Sequence, residues 1–196
     1  VCEQIVEAGK QRDVAVLDAP VSGGDEGSNA GTLTVLVGGE RSAFDRCLAI
    51  FNVIGERIEY LGESGAGYSA KIAQVVLCYV HSLALSEAMM LGVKGGVDPQ
   101  KMLDIIRNST GASYAADRYG PCILAGDYDP SFTIQLALKD MKLAKELADS
   151  LGIALPLCDL TTETYGTACE RYGGDANHLK AVRVLEETCD QFFQRT

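Results

Sequence analysis

A long apolar stretch near the middle of the chain is the main feature in the pattern of polar and apolar positions. Residues 72–86 contain no formally charged residue, and apolar residues recur at helical spacing on both sides of the helix that we predict over residues 65–96. A helix that is apolar all round is buried in protein or in lipid. The uncharged run falls short of the ~20 residues that span a bilayer. We therefore expect no membrane partner and burial within protein, partly against a second copy of the chain.

The chain before this helix combines strand and helix patterns. Apolar runs rich in β-branched residues are bounded by glycine and proline, as is typical of short strands, and helically spaced positions lie between them. The predicted elements are a helix at residues 1–11, strands at residues 14–17, 32–37 and 57–61, and a helix at residues 42–51 with Ser42 as its N-cap. We expect residues 1–62 to form an α/β domain, with a loop at Ser22-Gly23-Gly24 after the first strand.

The chain after residue 62 shows helical patterns only. Asp98 followed by Pro99 is typical of a helix start, because aspartate caps the first turn and proline fits its first position. The predicted helices lie at residues 98–106, 134–151, 160–172 and 179–193, with loops and short turns over residues 108–131. The helix over residues 134–151 is expected to bury Leu136, Leu143, Leu147 and Leu151. Residues 63–196 should therefore form an all-helical domain.

Composition and charge narrow the class of protein. The chain of 196 residues is 47% hydrophobic and carries a formal net charge of -10, which fits an acidic globular protein of the cytoplasm and argues against a nucleic-acid partner. The cysteines are widely spaced and include no C-x-x-C pair, so we expect reduced thiols and no metal site. His81 and His178 have no second ligand at metal-binding spacing, and we interpret both as structural.

A lysine at the start of the long helix is the residue most suggestive of chemistry. Lys71 follows Gly65-Ala66-Gly67, where the positive end of the helix dipole and an apolar core both favour the neutral amine. An amine with a lowered pKa can exchange a proton near neutral pH. Backbone N–H groups at residues 65–67 and at Ser22-Gly23-Gly24 are placed to hold an anion beside it. The residues alone leave two simpler alternatives open, a surface lysine and a plain turn.

Residues 65–70 also match the dinucleotide-binding pattern G-x-G-x-x-G/A. That fingerprint belongs to a unit in which a second strand returns within about 30 residues and ends in an acidic residue. Here the predicted helix continues, Glu87 falls inside it, and no strand pattern follows. We therefore do not interpret residues 65–70 as a dinucleotide-binding turn.

Four sequence blocks together resemble the 3-hydroxyisobutyrate dehydrogenase family of β-hydroxyacid dehydrogenases, which is akin to 6-phosphogluconate dehydrogenase. The blocks are Asp18-Ala19-Pro20-Val21-Ser22-Gly23-Gly24, Gly31-Thr32-Leu33 with Val37-Gly38-Gly39, Gly65-Ala66-Gly67 with Lys71, and Phe132 with Leu138-Lys139-Asp140-Met141. The resemblance implies an α/β remnant of a Rossmann-type domain, a long interdomain helix and an all-α C-terminal domain. It also implies NAD or NADP as the cofactor, bound between the domains. The apolar surface of the long helix separately leads us to expect a homodimer through this helix and the helical domain.

The resemblance further assigns roles to single residues. Lys71 matches the catalytic lysine that gives or takes the proton of the substrate oxygen as hydride moves from or to the nicotinamide. The other expected contacts are Ser22, Gly23, Gly24, Gln74 and Phe132 with a small carboxylate substrate, and Gly65, Lys139 and Asp140 with the cofactor. Without the resemblance, Lys139 and Asp140 would be interpreted as a solvated helix face. The expected substrate is a small β-hydroxyacid or semialdehyde.

Two departures from the family pattern bear on activity. The family usually has two asparagines three and four residues after the lysine, but this chain has Gln74 and Val75, and valine cannot form a hydrogen bond. The glycine-rich nucleotide-binding half does not precede Val1, so we expect the C-terminal portion of such an enzyme, with weak or absent cofactor binding of its own. The alternative is a non-catalytic dimerisation or scaffold module derived from the family. The start of the chain leaves a mitochondrial matrix location open beside the cytoplasmic one.

Overall fold

The structure is a computed structural model that describes residues 2–128 and 132–194. Contacts between residues divide it into two compact units, Val1–Gln74 and Val75–Thr196. The division falls inside the long helix, whereas the sequence pattern placed a boundary after residue 62. Both divisions assign every strand to the first unit, which we call the sheet unit. The second is called the helical unit.

The sheet unit is organised around one central strand, β3 (Leu33–Gly39). β1 (Leu17–Asp18) and β2 (Val21–Ser22) pair antiparallel to it in one continuous register, with Leu17 opposite Gly39 and Ser22 opposite Thr34. β4 (Gly55–Tyr60) pairs parallel to it. The helices of this unit are α1 (Cys2–Lys10), α2 (Gly24–Ala30) and α3 (Arg41–Ile54).

Alternation along β3 explains how α3 covers the sheet. Val35 and Val37 are fully buried, two residues apart on the same face of the strand, as a half-covered sheet requires. They form a core with Phe44 and Phe51 of α3, whose ring centroids lie 6.1 Å apart. This small core holds the β3–α3–β4 unit together.

Three details of the sheet unit differ from the sequence-based expectations. Residues 14–16 are not strand, because β3 ends at Gly39, opposite Leu17, and offers them no partner. The stretch after Gly23 is the short helix α2 instead of a loop, although its two glycines and its serine, asparagine and aspartate are poor helix formers. The N-cap of α3 is Glu40, and the Ser42 hydroxyl donates to the Glu40 carboxylate instead of capping the helix.

The predicted long helix is confirmed as α4 (Ala66–Lys94). Within the helical unit it buries a stripe at helical spacing that consists of Tyr79, Ser82, Leu85, Ser86, Met89 and Met90. Its length and apolarity would allow a membrane crossing, a property that core helices of soluble proteins share, and 33% of its most apolar window is buried within the chain. Leu77 and Leu91 are 50% and 79% exposed. Burial of this face against a second copy stays a prediction.

The helical unit packs α4 with shorter helices and turns. These are α5 (Pro99–Arg107), a π-helical turn (Ala115–Tyr119), α6 (Gly120–Ala125), α7 (Ile134–Leu151), α8 (Pro156–Tyr172), a 3-10 turn (His178–Ala181) and α9 (Val182–Cys189). Asp98 caps α5 as predicted, since its Oδ1 accepts the Lys101 N–H at 3.1 Å. The described residues 108–128 hold more helix than expected, and α9 ends before residue 193. Within residues 61–128 and 132–194 the β pairing is one isolated bridge, Thr133 with Asn177.

The buried face of α7 is not the predicted one. The structure buries Ile134, Ala137, Met141, Ala144 and Ala148. Leu136, Leu143 and Leu151 are between 39% and 63% exposed, and Leu147 is only partly buried. Short alanine side chains let α7 and α8 approach closely, which the larger leucines would prevent. The exposed leucines of α7 are thus an apolar surface of the single chain.

Candidate functional site

The loop that was predicted to bind a carboxylate begins where β2 ends. Ser22 closes the strand opposite Thr34. Gly23 and Gly24 have φ values of 140° and 61°, which favour glycine because a Cβ would be strained there. Both glycines are exposed, and a Cβ added at Gly24 would meet nothing within 4 Å. The backbone of this turn is therefore open to a small ligand.

Two predicted substrate residues meet beside this loop. Gln74 Nε2 donates to Ser22 Oγ at 3.4 Å, a long hydrogen bond. Lys71 is partly buried and precedes Gln74 by three residues, so both start from one face of α4. The sheet unit therefore contains the Ser22–Gln74 pair, with Lys71 one helical turn before Gln74, and we refer to these three residues as one group. Val75 follows Gln74 directly and offers no hydrogen bond in place of the asparagine expected there.

An internal carboxylate occupies the helix start that was expected to hold an external anion. Asp18 is 3% exposed and accepts the Gly65 N–H at 2.7 Å on Oδ1 and the Tyr68 N–H at 3.1 Å on Oδ2. The Ala66 N–H donates to the Glu63 carbonyl at 3.1 Å. The expectation of N–H groups free to bind the substrate anion is therefore wrong for Gly65 and Ala66, and for Gly67 it stays a prediction. A contact of Gly65 with the cofactor by other atoms stays a prediction.

The helical unit holds a second group of predicted site residues. Tyr79 donates its hydroxyl hydrogen to Asp140 Oδ2 at 2.8 Å, while Lys139 Nζ lies 3.0 Å from Asp140 Oδ1. The Asp140 side chain is only 16% exposed and that of Lys139 is 58% exposed. The interpretation as a solvated helix face therefore fits Lys139 and is wrong for Asp140. Contact of either residue with the cofactor stays a prediction.

Phe132 is fixed beside this pair by its backbone and by its ring. Its carbonyl accepts the His178 N–H at 3.0 Å. Its ring lies 6.2 Å from the Tyr79 ring and 5.6 Å from the His178 ring, measured between centroids. Phe132 therefore stands at the edge of a packed aromatic cluster, and its predicted contact with substrate stays a prediction.

His178 is the centre of that cluster, which sequence reasoning missed. It is 3% exposed and begins the 3-10 turn. Its ring packs edge-on against Tyr79 and Tyr119, and Nδ1 lies 3.4 Å from the Tyr165 hydroxyl oxygen. The aromatic residues are scattered over the chain at no regular spacing, so no local pattern could have predicted the cluster. Its packing agrees with a structural histidine.

Burial controls the titration of the tyrosines in this cluster. It raises the pKa of Tyr79 well above its ordinary value, and the Asp140 charge and hydrogen bond raise it further. Burial also raises the pKa of Tyr119, next to Cys78, whose sulfur lies 3.4 Å from the hydroxyl. The pKa of Tyr165 is raised for the same first reason. These hydroxyls stay protonated at neutral pH, and that of Tyr79 donates its hydrogen to Asp140.

The side chains in the described part of the chain can be compared with what a metal ion or a cofactor would need as ligands. Over residues 2–128 and 132–194, no three His, Cys, Asp or Glu side chains are grouped as a metal site requires. The Gly65 N–H and both Asp140 oxygens already have partners. The exposed Lys139 ammonium has three donors and directs one at Asp140, so it fits a cofactor oxygen best of the three predicted contacts.

Two family models match nearly the whole chain. The model described as the NAD-binding domain of NADP-dependent 3-hydroxyisobutyrate dehydrogenase matches residues 65–185. The model described as the NAD binding domain of 6-phosphogluconate dehydrogenase matches residues 2–62. The junction between the two matches coincides with the start of α4.

Individual proteins with similar sequences and structures carry related names. The 2-(hydroxymethyl)glutarate dehydrogenase of Eubacterium barkeri is 35% identical over 94% of this chain and 62% of its own length. The 3-hydroxyisobutyrate dehydrogenase of Pseudomonas aeruginosa is 32% identical over 89% of this chain and 60% of its own. A structure of Mycobacterium tuberculosis 3-hydroxyisobutyrate dehydrogenase with L-serine superposes with a TM-score of 0.86 at 27% identity, over 94% of this chain and 65% of that one. The chain spans less than two thirds of each.

Proposed function

Because the chain belongs to the 3-hydroxyisobutyrate dehydrogenase family of NAD-dependent hydroxyacid dehydrogenases, we propose that the whole protein is an NAD(P)-dependent oxidoreductase. Its proposed substrate is a small β-hydroxyacid or the corresponding semialdehyde. The names of the two sequence relatives support this class, since both denote hydroxyacids that carry a carboxylate. Lys71 is the proposed proton donor and acceptor.

The observation that carries the proposal is the group formed by Ser22, Lys71 and Gln74. The Gln74 amide approaches the Ser22 hydroxyl at 3.4 Å, and Lys71 lies one turn earlier on the same helix. Next to this group, the open Gly23-Gly24 backbone offers N–H groups to a carboxylate. The arrangement thus combines donors for the acid end of a substrate with an amine for its reacting oxygen.

The proposed proton transfer follows from this arrangement. In the oxidative direction, the Lys71 amine takes the proton of the substrate hydroxyl as the hydride on the same carbon leaves and the carbonyl forms. In the reductive direction, the Lys71 ammonium returns a proton to the oxygen. Bound NAD(P) would supply the hydride acceptor or donor, and Lys139 is the side chain of the helical unit best suited to hold it. Placing the proton on a positioned amine avoids a free alkoxide and contributes about 10²–10⁴-fold to the rate.

A substrate series tests this proposal. The whole protein is assayed with NAD⁺ and NADP⁺ against β-hydroxyacids and against the matching amides, in which the carboxylate is replaced by a neutral group of the same shape. We expect the parent protein to turn over at least one of the acids. The KM should be much higher for the matching amide, and also for the acid when the enzyme carries Ser22→Ala. Absence of turnover with every acid and both cofactors contradicts the proposal.

A second candidate function is a non-catalytic dimerisation or scaffold module. Val75 favours it, because it removes a hydrogen-bonding side chain next to Lys71. The exposed apolar side chains of α4 and α7 form a surface typical of contacts between subunits, which fits both candidates equally. The proposed homodimer is common to both candidate functions. Turnover separates them.

A further inference from the structure

Asp18 is a buried carboxylate with donors on both oxygens. Its Oδ1 accepts the Gly65 N–H at 2.7 Å and the Ser64 hydroxyl at 3.4 Å, and its Oδ2 accepts the Tyr68 N–H at 3.1 Å. The residue itself is 3% exposed. A buried ionised carboxylate is costly unless such donors surround it. The start of α4 supplies them.

Two glycines leave the space that this carboxylate fills. A Cβ added at Gly38 of β3 would lie 2.7 Å from Asp18 Oδ1. A Cβ added at Gly67 of α4 would lie 2.8 Å from Oδ2. Both distances are shorter than real Cβ contacts allow, so strand and helix approach Asp18 only because neither residue has a side chain. The carboxylate is thus enclosed by the sheet and the helix start together.

This contact satisfies a general need of a helix start. The first N–H groups of an α-helix have no partner within the helix, and a negative charge there complements the helix dipole. Gly65 directly precedes α4 and Tyr68 lies in its first turn. Asp18 therefore acts on α4 as an N-cap supplied from a distant strand.

The same short segment carries Asp18 and the predicted substrate loop. Asp18 ends β1, and Ser22 ends β2 four residues later in the same register against β3. Lys71 follows Tyr68 by three residues, about 4.5 Å along the helix axis. Asp18 therefore connects the start of the helix that carries Lys71 with the segment that carries Ser22. This connection determines the position of Lys71 relative to Ser22.

We propose that Asp18 is a positioning residue for Lys71, because it fixes the start of the helix that carries the lysine to the segment that carries Ser22. This inference rests on the proposed function of Lys71 as the proton donor and acceptor. Asp18 itself touches neither substrate nor cofactor in this account. Its removal should act on the step that Lys71 performs and leave cofactor binding nearly unchanged.

The test compares Asp18→Ala and Asp18→Asn with Tyr60→Phe in the whole protein. Asparagine keeps an acceptor for one helix N–H, while alanine keeps none. Tyr60→Phe is the matched control, since it removes a 3.0 Å hydrogen bond to Gly39 in the same sheet without touching α4. We expect kcat to fall about 10²-fold in Asp18→Ala and less in Asp18→Asn, as a misplaced catalytic group predicts. Cofactor KM should change less than about twofold in all three variants.

A double variant separates positioning from general loss of structure. If Asp18 acts through Lys71, Asp18→Ala combined with Lys71→Ala has the same residual kcat as Lys71→Ala alone. The inference is wrong if the kcat losses of the two single variants multiply in the double variant. It is also wrong if kcat is unchanged in Asp18→Ala. If Asp18→Ala does not fold, Asp18→Asn takes its place, and kcat is compared in the same way among the two single variants and the double variant. A kcat in Lys71→Ala equal to that of the parent would instead contradict the proposed function of Lys71. Failure of the inference about Asp18 and failure of the proposed function therefore give different results.

Discussion

The hydroxyl of Tyr79 donates to Asp140 Oδ2 at 2.8 Å within the aromatic cluster of the helical unit. The other carboxylate oxygen of Asp140 faces Lys139 at 3.0 Å. One carboxylate therefore joins a fully buried phenol to an exposed ammonium.

Tyr79→Phe is expected to destabilise the protein although it removes a single oxygen. A hydrogen bond to a charged, mostly buried acceptor is worth about 2 kcal/mol, and Asp140 would keep only Lys139. The free energy of unfolding, measured by urea denaturation, should fall by that amount. The matched control is Tyr60→Phe, whose hydroxyl donates to the neutral Gly39 carbonyl and whose loss should cost about 1 kcal/mol. An equal or smaller loss for Tyr79→Phe would contradict the charged bond.

Stability should also depend on pH through Glu186. Its side chain is fully buried, Oε1 accepts the Phe193 N–H at 2.9 Å, and burial raises the pKa of the carboxyl. A raised folded pKa gives stability that is complete below the unfolded value of about 4.3 and is lost as pH rises through the folded pKa. Glu186→Gln cannot ionise, so its melting temperature should exceed that of the parent at pH 8 and match it near pH 4.

The neighbouring Glu187 is a control with the opposite sign. The nearby Tyr172 hydroxyl and the Arg171 guanidinium, which lies 3.1 Å from Glu187 Oε2, lower the pKa of this exposed carboxyl, so its contribution is present above the unfolded pKa and lost as pH falls. Glu187→Gln should therefore lower the melting temperature at pH 8 and have little effect at pH 4. The same pH dependence in both variants would refute the assignment to Glu186.

The sequence predicted elements whose signals are local. The uncharged run over residues 72–86 was sufficient to predict α4, and Asp98-Pro99 was sufficient to predict the start of α5. The bond from Asp18 to Gly65 joins residues 47 positions apart, so no local pattern contains it. The His178 cluster depends on tertiary packing in the same way.

The buried face of α7 shows a different limit of sequence reasoning. Hydrophobicity favoured the leucine side, because leucine buries more apolar surface than alanine. The packing with α8 selected the alanine side, since close approach of two helices requires small residues. The pattern of residue types correctly predicted a helix over residues 134–151. It did not determine which of the two apolar sides is buried and which is exposed in the single chain.

Val75→Asn should strengthen substrate binding in the whole protein. It restores a hydrogen-bonding side chain next to Gln74, and one such bond is worth about 1 kcal/mol, or about a fivefold lower KM. Glu87→Asn is the control, because it introduces the same side chain at an exposed polar position about three turns further along α4. Steady-state kinetics measure both. An equal KM for Val75→Asn and the parent would show that this position does not contact the substrate.

A homodimer is expected from the exposed apolar face of α4. An isologous two-fold contact is the commonest way to cover such a surface. Sedimentation velocity at micromolar concentration should give a dimer, and Leu91→Glu, at a position that is 79% exposed, should shift it toward monomer. Ile50→Glu changes an equally apolar residue of α3 that is 63% exposed and should leave the dimer intact. A parent protein that sediments as a monomer at this concentration would contradict the predicted homodimer.

The rate of the Lys71→Ala variant of the whole protein tests the central claim most directly. If Lys71 is the proton donor and acceptor beside Ser22 and Gln74, kcat should fall about 10²–10⁴-fold while cofactor KM changes less than about twofold. Lys94→Ala, which removes an exposed lysine at the other end of the same helix, should retain the parent rate. A Lys71→Ala enzyme that turns over as fast as Lys94→Ala would contradict the claim and would favour the scaffold function.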